Sequence, residues 1–200
     1  MGTERTNAHR RDMQDKIFDA LMEVLGEKRY VDVSVGDICD KAFVSRPTFY
    51  RYFANKDNLV RWKTKQIFKA GLSQIGRTCT WRQGFYVTLV GLHRCKALYS
   101  DPQSADFVAS FLEFASHYQR EQLVETLLRH KSIPLNEKLE FEIDALVAVR
   151  GLMTRRWAEG GMRVPPDTMA DYLSAIVPYD LFHLLNEPEE KPGVTAACSL

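Results

Sequence analysis

Apolar side chains recur at steps of three and four residues along most of this 200-residue chain, which is the spacing of helices with one buried face. The first such stretch, residues 12–27, carries Ile17, Leu21 and Val24 at this spacing. Only eight prolines interrupt the chain, and the Asn-Gly and Asp-Gly dipeptides that close β-hairpins do not occur. With 45% hydrophobic residues, enough to bury a core, the pattern predicts a globular all-α fold.

Glycine, proline and polar capping residues divide this pattern into a series of predicted helices. Ser34 and Ser45 are expected to cap the second and third helices, and Asp37 completes a capping box with Ser34. Pro178 is expected to kink the last helix. The predicted helices cover residues 12–27, 35–42, 46–53, 56–76, 82–99, 104–130, 137–159 and 166–186.

Charge is distributed unevenly along the chain, although the net charge is only +1. Residues 1–69 contain 14 lysines and arginines against 10 acidic residues, whereas residues 70–200 contain 13 against 16. A basic N-terminal part followed by a more acidic remainder is compatible with a module that binds phosphate groups joined to a module that binds a different partner.

The second and third predicted helices are short and joined by a tight connection. This is the outline of a helix-turn-helix, whose second helix lies in the major groove of DNA. Phe49 and Phe53 share one face with Ile38 and are expected to be core. The other faces of the third helix carry Arg46, Thr48, Tyr50, Arg51 and Tyr52.

The motif Ser45-x-x-Thr48-Phe49-Tyr50-x-x-Phe53-x-x-Lys56-x-x-Leu59 lies within residues 34–60, which closely resemble the DNA-binding domain of TetR/AcrR-type transcriptional regulators. With the first helix included, the resemblance covers about residues 10–66. It implies an all-α protein in which a three-helix helix-turn-helix DNA-binding domain precedes a larger helical ligand-binding and dimerisation domain.

The resemblance also suggests how the chain is divided. Residues 1–11 are expected to form a flexible arm, and residues 12–66 the DNA-binding domain, whose fourth helix continues to about residue 76. Residues 77–186 are expected to form the ligand-binding and dimerisation domain. The aperiodic residues 187–200 are interpreted as a tail.

In the family, the recognition segment meets the operator, and the chemistry of the matching residues fits that role. Arginine forks onto guanine, threonine offers a methyl contact to thymine, and the Tyr50 hydroxyl can donate to a phosphate. Lys56, at the start of the fourth helix, is expected to hold a phosphate together with the helix amides. Alternatives are a solvated charge for Arg46 and partial burial for Tyr50 and Tyr52. The expected DNA-binding residues are Ser34, Ser45, Arg46, Pro47, Thr48, Tyr50, Arg51, Tyr52 and Lys56.

Phe43 is the one departure from the family pattern that bears on geometry. The family usually has glycine at this position of the turn. A phenylalanine there requires either a turn without a positive φ or acceptance of strain.

An aromatic stripe in the sixth predicted helix suggests a pocket for a small effector, although a core stripe has the same spacing. The effector is expected to be apolar or aromatic, since only Arg94 and Lys96 are basic between Phe85 and Tyr118. The expected ligand-binding residues are Phe85, Leu89, His93, Phe107, Phe111, Phe114, His117 and Tyr118.

The last two predicted helices carry apolar residues on more than one face and therefore need a partner. As in the family, the homodimer interface is placed on residues 137–159 and 166–186, and Ile143 and Ile176 are expected to contribute to it. The join between these helices is similar to that of regulators of dihydroxyacetone kinase operons, which is a short and weak match.

These features predict a sequence-specific transcriptional regulator, a repressor released from a pseudo-palindromic operator by a small-molecule effector. An activator of the same family and a ligand-binding helical bundle without DNA binding are the alternatives. No nucleophile, P-loop or dinucleotide motif occurs, so no enzyme activity and no cofactor are expected. Glu113 and His117 lack a second matching pair, so no metal site is expected. Without a secretory signal or a long apolar run, the chain is expected in the cytoplasm and not in a membrane, with its four cysteines reduced.

Overall fold

The structure of the chain, a computed structural model, describes residues 2–99 and 105–187, with the backbone alone for residues 2–7 and 105–112. Over these residues the chain is helical. The helices are α1 (Gly2–Val24), α2 (Val35–Ala42), α3 (Arg46–Tyr52), α4 (Lys56–Ala70), α5 (Trp81–Arg94), α6 (Lys96–Tyr99), α7 (Ala105–Glu125), α8 (Glu137–Glu159), α9 (Pro166–Ala175) and α10 (Tyr179–Leu185). Short 3₁₀ turns occupy Tyr30–Asp32 and Leu72–Gln74, and a π-helical turn occupies Thr126–His130. None of the described helices is long and apolar enough to span a membrane.

The first four helices form the N-terminal unit, in which α1 packs against α2 and α4. Ile17 and Leu21 of α1 are fully buried there, as the periodicity predicts. The first helix begins at Gly2, ten residues before its predicted start at residue 12. Residues 2–11, which were expected to form a flexible arm, are therefore helical in the structure.

The larger C-terminal unit is organised around α5, which packs against α4 and α9, and around the pairing of α7 with α8. The indole of Trp81 is fully buried, and its Nε1 donates to the carbonyl of Leu181, 3.2 Å away. This bond ties the start of α5 to α10. Buried residues of both units belong to one continuous hydrophobic core.

Four predicted helices are divided in the structure. The predicted helix 56–76 becomes α4 and the 3₁₀ turn Leu72–Gln74. The predicted helix 82–99 is interrupted at Cys95 and becomes α5 and α6, and the predicted helix 104–130 ends in the π-helical turn. The kink predicted at Pro178 is a break, because α9 ends at Ala175 and α10 begins at Tyr179. Proline has no amide hydrogen with which to continue the helix at this point.

The cysteines differ in state. Cys39 and Cys95 are free and buried, whereas Cys79 is disulfide-bonded. The expectation that all four cysteines are reduced is therefore wrong for Cys79.

Phe43 ends α2 in the left-handed conformation, with φ 52° and ψ 47°. Its amide is placed to donate to the carbonyls of Asp40 and Cys39, and Val44 donates to Cys39, so the turn satisfies the last carbonyls of α2. Of the two ways in which a phenylalanine could occupy this turn, the structure has the one with a positive φ, where a Cβ is strained. The side chain offsets little of this strain by burial, because it is 89% exposed.

Replacing Phe43 with glycine should therefore stabilise the protein. We expect a gain of about 0.5–1 kcal/mol, because relief of the left-handed strain exceeds the extra freedom of glycine in the unfolded chain. Phe43→Ala is the control, since it removes the exposed ring but keeps the Cβ, and it should be nearly neutral. Urea unfolding would measure both variants. A stability gain in the alanine variant equal to that in the glycine variant would show that the ring is responsible and not the backbone.

Candidate nucleic-acid interface

α3 begins with a polar cap and is held by a buried ring. The Ser45 hydroxyl accepts from the Thr48 amide at 3.2 Å and lies 2.9 Å from the Thr48 hydroxyl. Pro47 lies in the first turn, where no helical amide bond is lost. Phe49 is fully buried, and its ring lies 5.9 Å from that of Phe53, measured between centroids. The cap and the buried ring together set which face of α3 is exposed.

α2 begins with the predicted capping box. The Ser34 hydroxyl accepts from the Asp37 amide at 3.1 Å, and an Asp37 carboxylate oxygen accepts from the Ser34 amide at 2.8 Å. Lys28 lies 2.7 Å from the same carboxylate. The hydrogen bonds from Lys28 and Ser34 hold the pKa of Asp37 well below its usual range. The start of α2 therefore stays capped by an ionised carboxylate.

The exposed face of α3 is basic and contains no acidic residue. Arg46, Pro47, Tyr50 and Arg51 are exposed, and the Arg51 guanidinium lies 5.2 Å from the centre of the Tyr52 ring. This combination of two guanidinium groups, an apolar ring and a phenol suits both base edges and phosphates.

Arg46 lies against the start of α2. A Cβ built on Gly36 would lie 2.7 Å from Nη2 of Arg46, so the absence of a side chain at this buried glycine leaves room for the guanidinium. Gly36 is not among the DNA-binding residues predicted from the sequence. The one sequence feature that could have indicated it is a glycine in the first turn of a helix, where glycine is otherwise unfavourable.

The structure directs Lys56 into the protein. Its ammonium donates to the carbonyls of Tyr30 and Val33, both at 2.7 Å, and lies 3.4 Å from that of Val31. It also lies 4.6 Å from the centre of the Tyr30 ring, and the Tyr30 hydroxyl donates to Asp57. Burial lowers the pKa of Lys56. The ammonium expected to hold a phosphate is thus bound to the segment that precedes α2.

The other DNA-binding candidates lie together around α3. Ser34 and Ser45 are exposed caps of α2 and α3, and Thr48 and Tyr52 are half-buried. The nine predicted residues therefore lie at the cap of α2, at the cap and along the length of α3, and at the first residue of α4, with Lys56 facing inward.

The sequence pattern of bacterial regulatory proteins of the tetR family matches residues 17–61, which contain the end of α1, α2, α3 and the start of α4. Residues 17–61 therefore carry the DNA-binding pattern of the TetR family. Two curated relatives resemble this chain. The HTH-type transcriptional regulator BetI of Brucella anthropi is 25% identical over 137 residues, which cover 66% of this chain and 68% of that protein. The uncharacterized HTH-type transcriptional regulator YvdT of Bacillus subtilis is 32% identical over 75 residues, which cover 38% of this chain and 39% of that protein.

Two solved structures share the fold of this chain over most of its length. The dihydroxyacetone kinase operon activator DhaS superposes with a TM-score of 0.64 at 17% identity, over 88% of this chain and 98% of that one. The TetR family repressor AlkX of Dietzia sp., implicated in biodegradation of n-alkanes, has a TM-score of 0.52 at 16% identity, over 88% and 99%. At these identities the likeness concerns the fold, an all-helical protein with an N-terminal helix-turn-helix.

The predicted ligand-binding residues whose side chains are described differ in burial. Phe85 and Leu89 are buried core residues of α5, and Tyr118 is buried with its hydroxyl 3.0 Å from that of Ser73. Phe114 is half-buried beside Tyr118, with ring centroids 6.2 Å apart. The side chains of Phe107 and Phe111 lie outside the described residues.

The two histidines proposed as polar groups of the pocket are exposed. The His93 ring lies 6.2 Å from that of Trp157, and His117 Nε2 lies 3.2 Å from Glu121. Among the residues that the structure describes, no group of three or more histidine, cysteine, aspartate or glutamate side chains is placed to hold a metal ion.

The inward contacts of Lys56 lead to a prediction about stability. Lys56→Met keeps an unbranched side chain over Tyr30 but leaves two carbonyls without their charged donor, so we expect a loss of about 1–3 kcal/mol in unfolding free energy. Lys69→Met removes an exposed lysine of the same helix and should be neutral. Chemical unfolding would give both values.

The same pair of variants separates the two interpretations of Lys56. An ammonium that stays inside the protein leaves the salt dependence of DNA binding unchanged in Lys56→Met. If stability were unchanged, and the slope of log affinity against log salt fell by about one unit, Lys56 would be a phosphate contact instead.

Proposed function

We propose that this TetR-family regulator is a homodimeric repressor, which binds a pseudo-palindromic operator and is released from it by a small-molecule effector. The observation that carries the proposal is the exposed basic face of α3, mounted on the buried Phe49. A helix that presents arginine, proline and tyrosine outward, and fixes its orientation by burying the opposite side, suits the major groove.

The contacts within α3 suggest how the work of recognition is divided. Arg46 and Arg51 carry the donors that match guanine O6 and N7. The Thr48 hydroxyl is already used by Ser45, so we expect Thr48 to offer its methyl group to thymine. Tyr50, which is 55% exposed, can donate its hydroxyl to a phosphate.

Dimerisation is supported by large apolar side chains left exposed on the last three helices. On α8 these are Phe141, Val149 and Leu152, with exposed fractions of 74%, 44% and 46%. On α9, after α9 and on α10 they are Tyr172, Ile176 and Tyr179. These positions fall within residues 137–159 and 166–186, the expected interface.

Ile143 does not belong to that interface. It is fully buried within one protomer, on the side of α8 that faces the core. The expectation that Ile143 contributes to the dimer is therefore wrong, whereas Ile176 is 41% exposed and remains a candidate.

Release by an effector requires that the two units influence each other. α4 belongs to the DNA-binding unit and also packs against α5, and its buried Thr64 hydroxyl lies 2.9 Å from that of Tyr99 in α6. A shift of α6 or α5 on binding would be passed to α4, and so to the spacing of the two α3 helices in the dimer. Effector and operator affinities would then be coupled reciprocally, by about 1–3 kcal/mol in typical systems.

The direction of regulation needs its own test, since one structural neighbour is named an activator and the other a repressor. A reporter fused to the promoter upstream of the gene for this chain should become more active when the gene is deleted. Reduced reporter activity on deletion would favour the activator.

Base recognition by Arg46 can be tested by substitution. Arg46→Ala should weaken binding to a specific operator by about 1–3 kcal/mol and relax the preference at one base position. Arg129→Ala, at an arginine whose side chain is 79% exposed in the C-terminal unit, should leave affinity unchanged. Electrophoretic retardation with a set of single-base operator variants would measure both effects.

Two results would count against this assignment. If Arg46→Ala kept its base preference, Arg46 would not read bases. If the wild-type chain showed no sequence-specific retardation of promoter DNA at all, the alternative of a helical bundle without DNA binding would be favoured.

The proposed dimer interface can be tested with a closely matched control. Leu152→Glu places a charge in the proposed interface, which in an obligate dimer commonly buries more than about 2,000 Å², and should give monomer. Leu128→Glu changes a leucine of nearly equal exposure, 47% against 46%, on the π-helical turn outside the interface. It should remain dimeric. Light scattering at micromolar concentration would decide, and a monomeric wild type would refute the arrangement.

A further inference from the structure

Arg150 is a buried cation, two of whose nitrogens have no hydrogen-bond partner among the described residues. It lies on α8, is 3% exposed within a single protomer, and neither Nε nor Nη2 has a hydrogen-bond partner in the described part of the chain. Burial alone lowers the pKa of Arg150, to about 10, and no described carboxylate opposes this. The guanidinium is therefore still protonated at neutral pH.

Two more buried polar side chains, on α7 and α8, also have no hydrogen-bond partner in the part of the chain that the structure describes. Gln119 of α7 is fully buried, with neither amide atom bonded, and the Thr154 hydroxyl, one turn after Arg150 on α8, is also unbonded. Two contacts fix how α7 lies against α8. Arg120 donates to Asp144 at 2.7 Å, and a Cβ on Gly151 would lie 3.1 Å from the Ser116 hydroxyl.

This alignment places Gln119, between Ser116 and Arg120, on the stretch of α7 that runs along α8 between Asp144 and Gly151. Gln119, Arg150 and Thr154 are thus buried, unbonded polar groups on two helices that pack together, and we refer to them as the buried polar cluster. Folded proteins rarely leave such groups unpaired, and an uncompensated buried charge is among the costliest defects that a core can hold. A cluster of three is better explained by a ligand that supplies the missing partners.

We propose that this buried polar cluster is the effector site, and that it binds the carboxylate group of an organic acid with an apolar body. As an effector site, it rests on the proposed function. The two unbonded nitrogens, Nε and Nη2, form the edge of the guanidinium that presents two parallel N–H groups. That edge matches the two oxygens of a carboxylate.

The charge of the cluster selects a monoanion. One guanidinium is accompanied by a neutral amide and a neutral hydroxyl, which donate hydrogen bonds without adding charge. Glu142 of α8 also has an unbonded oxygen, but its other oxygen lies 3.7 Å from Lys138, and it stands eight residues before Arg150. A phosphate dianion would need further cations, which the described residues do not bring to this cluster.

The proposal adds an acidic group to the expected effector. Only Arg94 and Lys96 are basic between Phe85 and Tyr118, and on this ground the sequence predicts an apolar or aromatic molecule and disfavours a highly phosphorylated one. Arg150 comes from a later helix, where it continues the buried stripe of Ile143 and Val147 toward Trp157 at helical spacing. These neighbours on α8 are apolar, so we expect the body of the ligand to be apolar as well.

The test uses the full-length chain and a panel of defined probes. These are hexanoate, decanoate, benzoate and phenylacetate, the corresponding primary amides, and phenyl phosphate. Thermal shift and calorimetry would be measured for wild type, Arg150→Met and Arg150→Lys. Arg129→Met is the control, because it removes an exposed arginine from another surface.

At least one carboxylate should raise the melting temperature of wild type and of Arg129→Met, while its amide and phenyl phosphate do not. Arg150→Met should bind that acid at least tenfold more weakly, and Arg150→Lys should fall between the two, because it keeps the charge but loses the fork. Without ligand, Arg150→Met should melt at or above the wild-type temperature, since it removes an unpaired buried charge.

Several results would overturn the proposal. These are no stabilisation of wild type by any carboxylate, equal stabilisation by the amides, unchanged affinity in Arg150→Met, or a ligand-free Arg150→Met that melts well below wild type. Electrophoretic retardation of operator DNA distinguishes failure of the effector-site proposal from failure of the proposed function. If the chain binds its operator and a carboxylate but is not released from the operator by the carboxylate, the buried polar cluster is not an effector site. If the chain binds no DNA, the proposed function itself is wrong.

Discussion

A helix of seven residues has too few internal hydrogen bonds to be stable alone, so α3 depends on the burial of Phe49. The Phe49 ring packs beside Phe53, which in turn lies 5.7 Å from Trp62 of α4. This aromatic contact joins the recognition helix to the helix that enters the C-terminal unit. Everything proposed about DNA follows from it, because the residues opposite Phe49 are outward-facing only while Phe49 stays inside.

In the N-terminal unit, some basic side chains stabilise the fold, and others are available for DNA recognition. Lys56 binds the carbonyls before α2, and Lys28 holds the capping carboxylate of Asp37. Arg46 occupies space that Gly36 leaves open. A count of basic residues in this part of the chain therefore overstates the charge available to phosphates, and the exposed arginines of α3 carry more of the expected interaction than the lysines.

In the C-terminal unit, the charged side chains differ in burial and in pairing. Arg120 pairs with Asp144 at the surface, whereas two nitrogens of the buried Arg150 have no hydrogen-bond partner among the described residues. On α8, some large apolar side chains are exposed and some polar side chains are buried. The exposed apolar residues and the buried polar residues lie on different faces of this helix, so the proposed partner protomer and the proposed ligand would both contact α8. A ligand bound at Arg150 would therefore be well placed to influence the dimer that spaces the recognition helices.

The sequence by itself determined the all-α fold, the helix caps at Ser34 and Ser45, and the inward position of Phe49, because these depend on the spacing of neighbours along one helix. It also predicted the match of residues 17–61 to the TetR-family pattern, since the motif is long and local. Only the tertiary structure decided the direction of Lys56, the burial of Ile143 and Arg150, the exposure of His93 and His117, and the left-handed turn at Phe43. Each of these depends on which other helix lies opposite, and periodicity describes only the helix on which a residue stands. A buried stripe and an interface stripe have the same spacing until their partners are known.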